Sequence, residues 1–314
     1  MEDMIKNSYN QVISPAMALW NQRITLEKNK EHLLKLIDAV GCQNDLAAYQ
    51  WAQLLAITLD FKPDLILELG RLSGNSTCMF TEAANLLGAQ NCSVISLCLT
   101  DDFQKKTLPK VLRVVSEEWL KPLQALKCDI LFFNYEKALK DYNRILVFWD
   151  AHGYEVAECV LGKILPLIAD RPHLVIMHDL SDARYSSGKE YGGKQLWKRN
   201  HYPEGSRMRL GHIDSAVEQA VAIVDFASRN EIALESADHS QQTYFSGNPD
   251  KLAEMKQLLG KEFFSLSAHW FWFTLNERPG PYTFPKFVPP VEIHRTFLQR
   301  FRKAIGILLG RDTF

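Results

Sequence analysis

The stretch DLILELGRLSGNST, residues 64–77, decides the fold. An apolar run, Leu65 to Leu69, is broken only by Glu68 and gives way through Gly70 and Gly74 to the small polar residues that open a helix. Glycine is required where the backbone turns tightly and a ligand must approach with no Cβ in the way. The free N–H groups at the start of the next helix then face whatever occupies the turn. The spacing is G-x-x-x-G; the dinucleotide fingerprint G-x-G-x-x-G is absent, which weighs against an NAD or FAD site.

The same texture continues outward. Short apolar runs recur at Val94 to Leu99, Ile130 to Phe133, Ile145 to Trp149 and Leu174 to Met177. Segments of helical character lie between them, at Ser76 to Leu87, Leu108 to Leu126 and Val156 to Ile168. Near-continuous apolar strands alternating with amphipathic helices predict a parallel sheet covered on both faces. Ahead of this region, Leu33, Leu34, Ile37 and Val40 recur at helical spacing up to Gly41, and a second helix is expected from Asn44-Asp45 to Pro63. After the fifth run, residues 180–212 are polar and without apolar periodicity, a length that marks a functional or mobile insertion. A helix from about Asp214 to Ser228 follows. Ile232 to Leu234 and His269 to Leu275 are then strand candidates that could pair as an antiparallel edge.

Composition narrows the class. The 314 residues are 46% hydrophobic and 23% charged, with a net charge of −1. That is too apolar for a disordered chain, and its charge does not suit a nucleic-acid binder working by overall positive charge. No apolar run approaches the ~20 residues that span a bilayer, and the N-terminal MEDMIKNSYN is no secretory signal. Six scattered cysteines without a C-x-x-C pair read as free thiols in a reducing compartment, so a soluble cytoplasmic protein is expected.

With its acid, its G-x-x-x-G turn and its small polar helix start, residues 64–77 resemble motif I of class I S-adenosylmethionine-dependent methyltransferases. The likeness extends over roughly residues 64–275 and is closest to the metal-dependent O-methyltransferases and the cephalosporin hydroxylase-like branch. It implies an α/β, Rossmann-like methyltransferase fold: a mostly parallel doubly wound sheet with an antiparallel last strand. Residues 1–62 would be a helical extension, 63–277 the methyltransferase domain with a lid at 180–212, and 278–314 a Pro-rich linker with a basic amphipathic helix. The resemblance further implies that Glu68, Gly70, Ser73 and Gly74 border the methionine part of S-adenosyl-L-methionine, with Asn134 and Tyr135 near the adenine. At the tip of strand two, where the family has an acid for the ribose hydroxyls, this sequence has Cys98; Asp101 or Asp102 could reach in from the loop.

Two strand ends carry the remaining chemistry. Strand four ends in FWDAHG and strand five in IMHDLSD. Ligands in open α/β sheets bind at the carboxyl ends of strands, which brings Asp150, His152, His178 and Asp179 together. Asp150, His178 and Asp179 could share a divalent cation. Magnesium or manganese is expected, and an imidazole ligand suits manganese, iron or zinc better than magnesium. His152 could take the proton of an acceptor hydroxyl. A helix cap or a core hydrogen bond would account for the same residue types.

Within the insertion, Arg184, Lys189, Lys194, Lys198, Arg199, Arg207 and Arg209 alternate with Tyr185, Tyr191, Trp197 and Tyr202. That pattern suits either an anionic or sugar-bearing small acceptor or a solvated loop. GKEYGGKQ matches a P-loop at its first seven positions, but Gln195 replaces the hydroxyl residue and no strand leads into it. The tail helix, with Phe297, Phe301 and Ile305 on one stripe, would dock on its own core or on a second copy of the chain rather than on a membrane. The expected activity is metal-assisted O-methyl transfer to a small hydroxylated acceptor. A non-catalytic binding subunit, or a metal-dependent hydrolase or hydroxylase using the same acids, is the alternative.

Overall fold

The computed structural model describes residues 14–41, 46–178, 207–275 and 280–289, with the backbone alone over 207–217. Asp179, the lid through residue 206 and the C-terminal helix lie outside the described residues.

Three helices open the chain: α1 (Pro15–Asn21), α2 (Arg23–Val40) and α3 (Ala48–Phe61). α2 stops where the sequence predicts, at Gly41, whose φ of 69° closes the helix in the left-handed region. β1 (Leu65–Leu69), α4 (Asn75–Leu87), β2 (Ser93–Cys98) and the short α5 (Leu108–Val111) follow. Next come β3 (Leu123–Lys127), α6 (Tyr135–Leu139), β4 (Ile145–Trp149), α7 (Tyr154–Cys159), α8 (Leu165–Ile168) and β5 (His173–His178). After the undescribed segment come α9 (Arg207–Asn230), β6 (Glu235–Ser236), α10 (Ala237–Ser246), α11 (Pro249–Phe263) and β7 (Trp270–Phe273).

The strands form one sheet in the order β3-β2-β1-β4-β5-β7-β6. β1 to β5 are parallel, and β7 runs antiparallel to both β5 and β6. This is the Rossmann-like methyltransferase topology that the sequence implied, antiparallel finish included.

Alternation along the strands divides the core. Ile66, Val94, Leu146, Phe148, Leu174 and Ile176 face the N-terminal helices, α4 and α11. Leu65, Leu67, Ile95, Val147, Trp149, Val175 and Met177 face α7, α8 and α9. Strands buried on both faces read as continuous apolar runs. β3 does not, because it is the edge strand and is half exposed. The expected strand at Ile130 to Phe133 is instead a 3₁₀ turn, Ile130–Phe132, capped by Asp129. The helix expected over Leu108 to Leu126 breaks at Leu112, and Pro122, which has no N–H to continue it, precedes β3. Residues 280–289, expected as a linker, lie against the α7–α9 face: Tyr282, Phe284 and Phe287 pack on its core, and the Phe284 ring stacks on Phe226.

The described cysteines Cys78, Cys92, Cys98, Cys128 and Cys159 are free thiols, in line with the reading of the sequence. No helix among the described residues is long and apolar enough to cross a membrane.

At the start of β5, His173 is buried, with Nδ1 2.8 Å from the Arg171 carbonyl oxygen and Nε2 accepting from the Leu275 N–H at 3.0 Å. Burial pushes its pKa down from 6.5 to about 4. As pH falls from about 6.5 to about 4 the unfolded chain binds a proton that the folded chain refuses, so stability is lost across that window, by roughly 3 kcal/mol from this group. Chemical denaturation across this range should show the slope in the wild type and lose it in His173→Gln; an equal slope in both would assign it to other groups.

Candidate active site

The carboxyl ends of β1, β2 and β4 meet at Gly70. Its N–H donates to the Leu97 carbonyl at 3.0 Å, and the Asp150 N–H donates to the Leu69 carbonyl at 2.9 Å. Gly70 has φ 99°, and a Cβ on it would run into the carbonyl of Asp150. Gly74, at φ 85°, lies so close to the Phe103 ring that a Cβ would overlap it. The glycines thus serve the close approach of the chain to itself at the ligand edge of the sheet.

Glu68 is fully buried beneath this turn. Ser76 Oγ donates to Oε1 at 2.5 Å, Thr77 Oγ1 to Oε2 at 2.6 Å, and Ser96 Oγ also donates to Oε2. Burial raises the Glu68 pKa, against the pull of the three hydroxyls and Arg71. Both carboxylate oxygens thus tie β1, β2 and α4 together. Arg71, itself 1% exposed, reaches from the turn to the Ser96 and Leu126 carbonyls at 2.6 and 3.2 Å, and its Nε has no hydrogen-bond partner among the described residues.

Register sets the second part of the site. Trp149 pairs with Met177, so the next residues, Asp150 and His178, stand side by side. His178 Nδ1 lies 3.1 Å from Asp150 Oδ1, with the histidine 3% and the aspartate 12% exposed. On its other side, His178 Nε2 is 3.4 Å from Nε2 of Gln50. His152 turns to the opposite face, where its Nδ1 is 2.8 Å from Oε1 of Gln219 on α9. Of the four residues expected to converge, Asp150 and His178 are in contact, His152 is held separately, and Asp179 lies outside the described residues. Both ring nitrogens of His178 thus lie against protein groups, Asp150 and Gln50. No three His, Cys, Asp or Glu gather as a ligand set among the described residues.

The structure places the remaining residues as follows. Tyr135 is fully buried, with its hydroxyl donating to the Ile130 carbonyl at 2.9 Å. Asn134 caps α6, accepting from the Lys137 N–H at 3.0 Å. Asp101 pairs with Lys105 and Lys127, and Asp102 with Lys106. The Lys105 hydrogen bond holds the Asp101 carboxyl below its ordinary range. Cys98 ends β2 as expected. Burial raises its thiol pKa, but hydrogen bonds from Thr100 and the Leu72 N–H, with the Arg71 charge, outweigh it and lower the pKa overall.

Sequence reasoning missed four exposed apolar or aromatic side chains that follow β1 to β4: Leu72, Leu99, Phe132 and Tyr154. Leu72 stands in the left-handed region, at φ 43°, a conformation that is uncommon outside glycine.

The sequence matches no family model and no curated protein. Among solved structures it is similar to an O-methyltransferase from Bacillus cereus in complex with SAH, at 12% identity over 65% of this chain and 82% of that one, TM-score 0.40. It is also similar to the SAH-bound Podospora anserina methyltransferase PaMTH1, at 14% identity over 74% and 89%, TM-score 0.43. A further similarity is to TomG, an O-methyltransferase from Streptomyces achromogenes in complex with SAM, at 13% identity over 65% and 81%, TM-score 0.41.

Because the Cβ of any residue at position 70 would meet the Asp150 backbone, Gly70→Ala should cost on the order of 3 kcal/mol or more in stability. Urea denaturation measures it; a variant as stable as the wild type would show that the two strand ends are not in close contact.

Proposed function

We propose that this protein is an S-adenosylmethionine-dependent O-methyltransferase acting on a small hydroxylated acceptor, anionic or sugar-bearing in the expectation drawn from the insertion. The observation that carries this reading is the meeting of the Gly70 turn with Asp150 at neighbouring strand ends, on the edge of a parallel sheet where ligands bind. At the turn, the N–H groups that open α4 after Gly74 would face the cofactor. On the ribose side, Cys98 and Leu99 end β2 and would border it. Bound there, S-adenosylmethionine would supply an electrophilic methyl group.

The chain's own part is to place and deprotonate the acceptor. His152, its Nδ1–H donating to Gln219, carries its lone pair on Nε2 and is the candidate base for the acceptor hydroxyl. Asp150, with Oδ1 accepting from His178, would use Oδ2 to orient that hydroxyl or to join Asp179 in holding a magnesium or manganese ion. With His178 engaged elsewhere, the described residues do not complete a cation site, and no step here depends on one.

With labelled S-adenosylmethionine and a panel of hydroxylated acceptors, Asp150→Asn should lower methyl transfer by about 100-fold or more and leave cofactor affinity within about twofold. Transfer by the variant at the wild-type rate would remove Asp150 from the site. Loss of transfer in a chelator, reversed by manganese, would assign Asp150 to a cation, whereas activity that survives would assign it to the acceptor.

A further inference from the structure

We infer that Gln50, from the helical N-terminal segment, is a positioning residue of this site: it fixes the single proton of His178 on Nδ1 and so makes His178 a donor to Asp150. The inference deepens the proposed function, since Asp150 acts there on the acceptor or on a cation.

The orientation of the Gln50 amide is set by two backbone groups. Its Oε1 accepts from the N–H of Ala47 at 2.9 Å, as a residue at the third position of a helix does when it reaches back to the cap. Its Nε2 donates to the Ala268 carbonyl at 3.0 Å. The end that faces His178 is therefore the NH₂ end, which can donate and cannot accept. Nε2 of His178 must then carry its lone pair, and the proton sits on Nδ1, opposite Asp150 Oδ1. Gln50 and His178 are both buried, at 5% and 3% exposure.

Two consequences follow for the chemistry. With its basic nitrogen engaged by Gln50, His178 does not serve as a base or a metal ligand, and base chemistry falls to His152. Asp150 receives a hydrogen bond in a fixed direction, which holds Oδ1 inward. The helical N-terminal segment thus completes the site.

The test is ¹⁵N NMR of the histidines in the full chain, with the His178 resonances assigned by their absence from His178→Gln. The wild type should show His178 protonated at Nδ1 and unprotonated at Nε2. Gln50→Glu keeps the acceptor for Ala47 and exchanges the donor facing His178 for an acceptor, so Nε2 should gain a proton. In the methyl-transfer assay the same variant should lower kcat by about tenfold with the KM for S-adenosylmethionine unchanged. A wild-type His178 protonated at Nε2 would overturn the inference without recourse to any variant. So would a folded Gln50→Glu protein, even one of lowered Tm, whose His178 shifts match the wild type, because a merely structural glutamine leaves the tautomer alone. If the proton moves as expected and neither protein transfers methyl groups, the inference holds for the structure and the methyltransferase reading fails.

Discussion

The close approach of Gly70 to the backbone of Asp150 is the constraint on which the strand-end chemistry depends. Parallel strands end in loops that diverge toward helices on either face, and nothing in sheet geometry alone brings two such loops into contact. Here the ladder continues one residue beyond the strands: Gly70 bonds to β2, and Asp150 bonds to β1. The absence of a Cβ lets the two backbones touch. A ligand seated at the turn would therefore border the acid directly.

Below that contact the polar groups are held by partners drawn from elements distant in sequence. Glu68 is fastened by hydroxyls from α4 and β2, and Arg71 spans from the turn to the Ser96 and Leu126 carbonyls, so β1, β2, β3 and α4 are tied by buried polar contacts. Removing one member of such a set leaves its partners buried and unsatisfied. The two histidines meet different ends of a glutamine: Nε2 of His178 faces Nε2 of Gln50, whereas Nδ1 of His152 faces Oε1 of Gln219.

What was legible in the sequence follows from burial. β1, β4 and β5 stand out because both faces are covered, so Leu65 to Leu69 and Ile145 to Trp149 read as unbroken apolar runs and match the strands to the residue. β3, with LQALK at the sheet edge, carries no such signal, and the apolar Ile130 to Phe133 beside it reads as a strand although it turns inward under an Asp129 cap. At the site, the strand-end rule brought Asp150 and His178 together because register alone places them. It could not place Gln50, which lies in a helix buried on nearly every side and reads as one polar residue among apolar neighbours. Nor could it show that Tyr135, an aromatic residue after a strand, is buried with its hydroxyl on the Ile130 carbonyl.

The most direct measurement is calorimetric titration of the full chain with S-adenosylmethionine in the absence of acceptor. The glycine turn beside Asp150, with Cys98 on the ribose side, predicts saturable binding of one molecule per chain, competed by S-adenosylhomocysteine. No binding by a folded wild-type protein at millimolar cofactor would contradict the account and leave the turn a feature of internal packing alone.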